Sequence, residues 1–182
     1  MRFKLSRFSG GEMITNYLKI TILALFLSTP VHTQALAQEN TAKSQDSSVK
    51  SSALFVYKTP TCGCCKKWIS HITEQGIVAY SKDYISIDFI KSKYGIKPNH
   101  RSCHTAVTKD GFAFEGHVPA KYIQQFLSEQ HPNAIGLSVP AMPLGSPGME
   151  VGDRFMPYKI LLLKKDGTGE VYAYVNTYEE QF

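Results

Sequence analysis

Apolar residues along the chain fall into short runs that alternate with helical repeats. The run 53–57 (ALFVY) predicts a short buried strand, and Pro60 ends it. From Cys65 to Ile72, apolar residues recur at helical spacing, and Gly76 follows as a C-terminal stop. The first predicted strand therefore leads directly into a helix.

The same alternation continues through the middle of the chain. Residues 77–80 predict a second strand, and residues 85–94 predict a helix that ends at a glycine. Residues 105–108 and 112–114 flank an Asp-Gly turn and predict a hairpin. Pro119 then opens a third amphipathic segment in the favoured first-turn position of a helix.

The last third of the chain has a different texture. Residues 134–157 are rich in Pro, Gly and Met, and we predict an irregular loop there. Residues 158–163 and 170–175 flank a second Asp-Gly turn and predict a terminal hairpin. The predicted fold class is therefore α/β, thioredoxin-like (β-α-β-α-β-β-α), with an appended Pro/Gly/Met loop and a C-terminal β-hairpin.

The N-terminal segment is typical of an exported protein. A basic start, an apolar run at 20–27 and Ala35-Leu36-Ala37 predict a cleaved signal peptide over 1–37. The apolar run is shorter than the ~20 residues of a spanning helix, so we expect no stable membrane span. Polar residues 38–52 predict a disordered linker, and 53–182 a single domain. Export predicts the periplasm, an oxidising compartment.

Composition and charge exclude several classes of protein. With 182 residues, 43% hydrophobic content and four cysteines, the chain suits one globular domain and not a disulfide-dense scaffold. The net charge of +5 arises from 20 basic and 15 acidic residues, of which the first 37 residues hold four basic and one acidic. The remaining 16 basic and 14 acidic residues leave about +2, which gives no reason to expect a nucleic-acid partner.

Three of the four cysteines lie within four positions, in Cys62-Gly63-Cys64-Cys65. The pair Cys62-x-x-Cys65 has the spacing of dithiol redox proteins, whereas all three sulfurs together form a patch of soft metal ligands. A helix N-terminus and the following lysines are expected to lower the thiol pKa values, which favours either chemistry. The third thiol favours a metal site, with copper(I) preferred and zinc as the competitor.

Further ligands are expected from three other segments. Cys103 starts the hairpin strand near the first helix, whereas His104, next along a strand, should point to the opposite face. His117 lies at the same end of the sheet. The thioethers of the loop methionines can also bind copper(I), although packing of the loop onto the domain is the more common role of such residues. The metal-ligand candidates are thus Cys62, Cys64, Cys65, Cys103, His117, Met149 and Met142, with Met156 ranked behind them.

Four other residues are assigned structural roles. Trp68 is expected in the core, and His71 on the first helix is expected at the surface or satisfied by a hydrogen bond. His100 and His131 are expected to be solvated in loops.

Four blocks of this sequence, 57–68, 102–106, 115–120 and 142–150, together resemble the CopG-like family of bacterial copper-resistance proteins. The resemblance covers most of residues 54–150. It implies an exported thioredoxin-like domain that binds copper through its cysteine cluster and handles copper(I)/copper(II) conversion. It also carries the four cysteines over as the thiolate site, with His117 and the loop methionines as weaker ligands.

Three functional hypotheses follow. The first is a periplasmic copper-binding protein in copper resistance, whose partners are copper ions and other periplasmic copper-handling proteins, and which would act as a copper oxidoreductase if it converts the ion. The second is a metal-independent thiol-disulfide oxidoreductase with Cys62 as nucleophile and Cys65 as resolving thiol. The third is a zinc-stabilised domain without catalytic activity.

Overall fold

The structure, a computed structural model, describes residues 53–182; the signal peptide and linker predictions lie outside this range. Strands and helices alternate along the described chain. They are β1 (Leu54–Lys58), α1 (Gly63–Glu74), β2 (Ala79–Asp83), α2 (Asp88–Lys93), β3 (Thr105–Thr108), β4 (Ala113–Glu115), α3 (Ala120–Ser128), β5 (Ala134–Ser138), β6 (Tyr158–Lys164) and β7 (Gly169–Val175), with 3-10 turns at Pro98–His100 and Glu179–Gln181.

The strands form one seven-stranded sheet in the order β2-β1-β3-β4-β5-β6-β7. β1 runs parallel to β2 and antiparallel to β3, and β4 runs parallel to β5. The remaining neighbours are antiparallel. The predicted α/β class and the predicted element order as far as α3 are confirmed, with element ends shifted by up to three residues.

The prediction of an irregular loop over 134–157 is wrong at its start, where β5 lies between β4 and β6. Gly136 explains the error. It has φ +144°, and a Cβ there would overlap the carbonyl oxygen of Ala113 on β4. A glycine that reads as a loop signal is instead required for close strand pairing at a bulge. The predicted terminal hairpin is present as β6 and β7. Because β6 pairs with β5, this hairpin belongs to the same sheet as the other strands.

The main core lies between the sheet and helices α1 and α3. Trp68 is fully buried, as predicted, and its indole N–H donates a 2.8 Å hydrogen bond to the carbonyl oxygen of Val118. This bond ties α1 to the segment between β4 and α3. The largest buried side chains around it are Leu54, Ile72, Phe114, Ile123, Phe126, Leu137 and Ile160.

Three histidines lie outside the sulfur cluster. His71 Nε2 accepts a 3.1 Å hydrogen bond from the Ala120 N–H, which agrees with a satisfied histidine. The prediction that His100 is solvated is wrong, since it is buried against Gly169 of β7. His131 is half-buried because its ring stacks on Phe126 at 4.4 Å.

No helix within residues 53–182 is long and apolar enough to cross a membrane.

Candidate metal centre

The turn between β1 and α1 presents three cysteines at the start of a helix. Cys62 is the N-cap residue of α1, and its sulfur accepts a 3.3 Å hydrogen bond from the Cys65 N–H. Cys62 and Cys65 are joined as a disulfide, whereas Cys64 is a free thiol with its sulfur 3.5 Å from that of Cys62. The cysteine sulfurs therefore lie at the N-terminus of α1, where the helix N–H groups and the partial positive charge stabilise anionic thiolates.

Cys103 reaches the same place from a distant part of the chain. It lies in a bend just before β3, and β3 pairs antiparallel with β1 so that Thr105 faces Tyr57. This register brings Cys103, two residues before β3, close to the cysteine turn that follows β1. The sulfur atoms of Cys62, Cys64, Cys65 and Cys103 all lie within 4.8 Å of one another.

His117 contacts Cys103 and the Pro/Gly/Met loop at once. Its Nε2 atom lies 3.0 Å from the Cys103 sulfur, and its Nδ1 atom lies 2.6 Å from the carbonyl oxygen of Pro147. A carbonyl only accepts, so Nδ1 carries the proton and Nε2 keeps a free lone pair toward the sulfur. Such a carbonyl contact is the usual way in which a metal-binding histidine is oriented.

His104 also belongs to this group of side chains, contrary to the expectation that it would point away from Cys103. Its Nδ1 atom lies 3.3 Å from the Cys103 sulfur. The expectation failed because strand alternation begins only at Thr105, and His104 precedes β3. Cys103, His104 and His117 place one ligand atom each within 4.8 Å of one another.

The Nε2 atom of His104 is fully buried, and within residues 53–182 it has no hydrogen-bond partner. Its ring packs at 4.3 Å from Trp68 and at 5.1 Å from His117. A buried polar nitrogen without a partner is costly. The ring nitrogen that faces the Cys103 sulfur is the other one, Nδ1, at 3.3 Å.

Burial dominates the electrostatics of these groups. It raises the pKa of Cys103 to about 12, with the neighbouring Cys64 thiol adding to the shift. Burial also lowers the pKa of His117, and it lowers that of His104 well below the ordinary value, with His117 contributing. Both histidines are therefore neutral at pH 7, with lone pairs free to bind a metal. The lowered thiol pKa expected at the helix start does not extend to Cys103.

The Pro/Gly/Met loop lies directly on the cysteine turn. A Cβ at Gly148 would lie 2.6 Å from the Cys64 carbonyl oxygen, so the loop backbone touches the first turn of α1. Met149 follows and is half-buried. Met142 and Met156 have 49% and 56% of their surface exposed, and Met142 follows Ala141, whose carbonyl accepts a hydrogen bond from Ser102 beside Cys103.

The donor set of this centre is rich in sulfur, with imidazole nitrogen beside it. Soft thiolate and thioether ligands favour copper(I), whereas zinc is also held by combinations of Cys and His. The residues present thus fit copper, and they do not exclude zinc. The sequence pattern ranks His104 too low as a metal ligand. The signal that indicates its role is its position next to Cys103 and before the start of β3.

Comparison with known proteins identifies relatives of this chain. A family described as "Protein of unknown function, DUF411" matches residues 100–149, which include Cys103 and His117. Two solved structures titled "Copper resistance protein copG", Form 1 and Form 2, are each 38% identical, with a TM-score of 0.64. They cover 68% of this chain, and the match spans 97–98% of theirs. The chain belongs to the CopG-like family of copper resistance proteins. A search of curated proteins finds no significant match.

Membership of the CopG-like family confirms the resemblance carried by the four sequence blocks. The family profile includes the segments that supply Cys103, His117, Met142 and Met149, but it begins after the Cys62–Cys65 turn and ends before Met156. The two CopG structures extend the similarity over most of the described domain.

Proposed function

We propose that this protein is a periplasmic copper-binding protein in copper resistance, and that copper(I) is its cargo. The observation that carries the proposal is the convergence of four cysteine sulfurs within 4.8 Å from two distant segments. Once the Cys62–Cys65 disulfide is reduced, thiolate density of this kind favours copper(I) over harder ions. Zinc is the competitor, since four cysteines also make a structural zinc site.

Imidazole nitrogens complete the proposed site. His117 is the best-supported imidazole ligand. Its Nδ1–H group donates a hydrogen bond to the Pro147 carbonyl, which leaves Nε2 directed at Cys103. We add His104, whose Nδ1 atom lies 3.3 Å from the Cys103 sulfur. Met149 and Met142 remain proposed thioether ligands, supported by the contact between their loop and the cysteine turn.

The disulfide supports a redox role for the same cysteines. Two copper(II) ions each accept one electron while the Cys62 and Cys65 thiols lose one electron and one proton each and join as a disulfide. The products are two copper(I) ions, one disulfide and two protons. Cys64, Cys103 and His117 then remain as ligands for the copper(I) formed. The protein would thus act as a copper oxidoreductase whose electron store is a dithiol.

We assign the domain to the thioredoxin-like folds. The assignment is supported by the order β2-β1-β3-β4 and by a Cys-x-x-Cys pair at the start of the helix after β1. The same disulfide supports the second candidate function, thiol-disulfide exchange by Cys62 and Cys65. Against that function, the Cys64 sulfur lies 3.5 Å from that of Cys62 and would compete as resolving thiol.

The periplasmic location rests on the predicted signal peptide over 1–37, followed by the linker 38–52 and the domain 53–182. Other periplasmic copper-handling proteins are the proposed partners. N-terminal sequencing of the exported protein tests the predicted cleavage after Ala37, and a protein that keeps its first 37 residues contradicts it.

Anaerobic titration of the fully reduced protein with copper(I), against a competing chelator, tests the main proposal. We expect tight uptake that is weakened at least tenfold by Cys64→Ser, whereas insulin reduction by Cys62 and Cys65 should survive that substitution. Failure to compete with the chelator, together with insulin reduction, would favour the oxidoreductase. Zinc binding in place of copper(I) would favour the structural site.

A further inference from the structure

A buried ion pair lies behind the Cys103 side of the centre. The Lys91 ammonium on α2 is 2.5 Å from the Glu115 carboxylate at the end of β4. Both side chains are at least 95% buried. Removing two charges from water is costly, and their mutual attraction repays that cost only when the geometry and the remaining hydrogen bonds are good. A buried ion pair is therefore weak evidence of stabilisation. The other hydrogen bonds of Lys91 and Glu115 indicate their role instead.

The carboxylate of Glu115 holds both ends of the segment that carries Cys103 and His104. Its Oε1 atom accepts a 2.6 Å hydrogen bond from the Ser102 N–H, and its Oε2 atom accepts one of 2.6 Å from the Thr105 hydroxyl. Ser102 and Thr105 are the residues on either side of the Cys103-His104 dipeptide. One buried side chain therefore fixes the backbone that presents this sulfur and this imidazole.

Backbone contacts next to Glu115 join this segment to the one that carries His117. The Gly116 N–H, next after Glu115, donates a 2.9 Å hydrogen bond to the His104 carbonyl oxygen. A Cβ at Gly116 would lie 2.5 Å from the Ser102 side chain, so the two segments are in direct contact. Glu115 thus stands where the Cys103-His104 segment and the His117 segment meet.

Lys91 contributes the opposite charge. Its ammonium also donates a 3.2 Å hydrogen bond to the Thr105 hydroxyl, which itself donates to Glu115. Without Lys91, the Glu115 carboxylate would be a buried, unpaired charge against the segment that supplies Cys103 and His104. Like charges repel more strongly in a medium of low dielectric than in water, so an unpaired Glu115 carboxylate would oppose an anionic copper-thiolate cluster.

We propose that Lys91 and Glu115 are a positioning pair for the copper site: Glu115 fixes the segment that supplies Cys103 and His104, beside the His117 segment, and Lys91 cancels its charge. The inference rests on the proposed function. It separates two contributions, geometry from Glu115 and charge balance from Lys91, which predict different outcomes for single and double substitutions.

The test compares single and double substitutions by copper(I) affinity in chelator competition and by the ultraviolet copper-thiolate absorption per copper bound. Lys91→Met should weaken binding at least tenfold. Adding Glu115→Gln removes the unpaired charge and keeps an amide in its place, so the double variant should return to within about threefold of wild type. Lys91→Arg, which keeps the charge, should bind like wild type.

Position and charge are separated by two further variants. Glu115→Asp keeps the charge but shortens the side chain, and we expect weaker copper(I) binding with altered absorption per copper. Thr105→Val removes one hydrogen bond without changing charge, and it keeps the test available if Lys91→Met does not fold; a several-fold loss is expected. As a matched control, the surface pair Lys164 and Glu170, 2.5 Å apart, should tolerate Lys164→Met without effect.

The outcomes distinguish this inference from the proposed function. Wild-type protein that does not take up copper(I) overturns the proposed function itself. Wild-type protein that binds, with folded Lys91→Met and Thr105→Val binding equally well, overturns only the positioning pair. A double variant as weak as Lys91→Met also overturns it, because loss of packing rather than of charge balance would then explain the effect.

Discussion

The Nε2 atom of His117 lies 3.0 Å from the sulfur of Cys103, so a histidine and a cysteine fourteen residues apart present their ligand atoms to one point. The orientation of the His117 ring is fixed by the Pro147 carbonyl, which accepts a hydrogen bond from the Nδ1–H group of that ring. The loop is therefore a structural part of the site even where its methionines are exposed.

The first prediction concerns this imidazole. His117→Leu removes both ring nitrogens but keeps an apolar side chain, and we expect copper(I) affinity to fall roughly tenfold or more. The measurement is chelator competition on the reduced protein. His131→Leu serves as control, because His131 is bonded to Glu129 away from the sulfurs. Equal affinity of the His117 variant and wild type would remove this residue from the site.

The second prediction concerns the contact between loop and helix. Gly148 has φ +89°, and a Cβ would lie 2.6 Å from the Cys64 carbonyl oxygen and 2.8 Å from the Trp68 nitrogen. Gly148→Ala should lower the free energy of unfolding by about 2–4 kcal/mol, through backbone strain and loss of close packing. It should also weaken copper(I) binding, since Pro147 must move.

Gly111→Ala is the matched control for this substitution. Gly111 has a similar φ of +92°, but nothing lies within 4 Å of its Cβ position. Its substitution reports the backbone cost alone, about 1–2 kcal/mol. Urea unfolding of the two variants isolates the packing contribution; equal losses would mean that the loop does not press on the helix.

The third prediction is a pH dependence of stability in the copper-free protein. Burial lowers the pKa of His104 and of His117, so both stay neutral when the unfolded chain, with ordinary histidine pKa values near 6.5, takes up protons. Their contribution to stability is complete above about pH 7 and is lost as the pH falls below 6.5. Each should add a slope of up to about 1.4 kcal/mol per pH unit.

Urea unfolding between pH 5 and pH 8 measures this slope. His104→Gln should reduce it below pH 6.5 and leave the curve above pH 7 parallel to that of wild type. If the slope between pH 5 and pH 6.5 is the same in the variant, His104 is not held neutral by burial.

The fourth prediction concerns the only tryptophan of the chain. Trp68→Phe leaves the buried Val118 carbonyl oxygen without its 2.8 Å partner, which should cost about 1–3 kcal/mol beyond the lost ring area. Tyr172→Phe removes a hydroxyl that donates to the exposed Glu129, and about 1 kcal/mol or less is expected. Urea unfolding compares them; similar losses would argue against a role of the indole bond in joining α1 to the His117 segment.

The parts of the fold that followed from sequence are those with strong local signals. The strand before Pro60, the helix that ends before Gly76 and the Asp-Gly hairpins all lie where their patterns predict. The four cysteines also meet, because strand pairing between β1 and β3 follows from the predicted order. Local period and turn chemistry are sufficient for these elements.

The parts that sequence misjudged depend on tertiary contacts. Gly136 reads as a loop residue, but its lack of a side chain serves the close pairing of β5 with β4. Strand alternation predicts that His104 points away from Cys103, but the strand begins only at Thr105. His100 is buried by Gly169, which lies far along the chain. None of these contacts leaves a periodic signal in the sequence.

The sulfurs of the centre come from two segments about forty residues apart, which only the paired strands β1 and β3 bring together. An unfolded chain therefore cannot offer the complete site, and an ion bound by both segments stabilises the native state by mass action. Resistance to proteases should then follow metal supply: the loaded protein persists, and the empty one is degraded sooner. Copper would in this way control the lifetime of the protein that binds it.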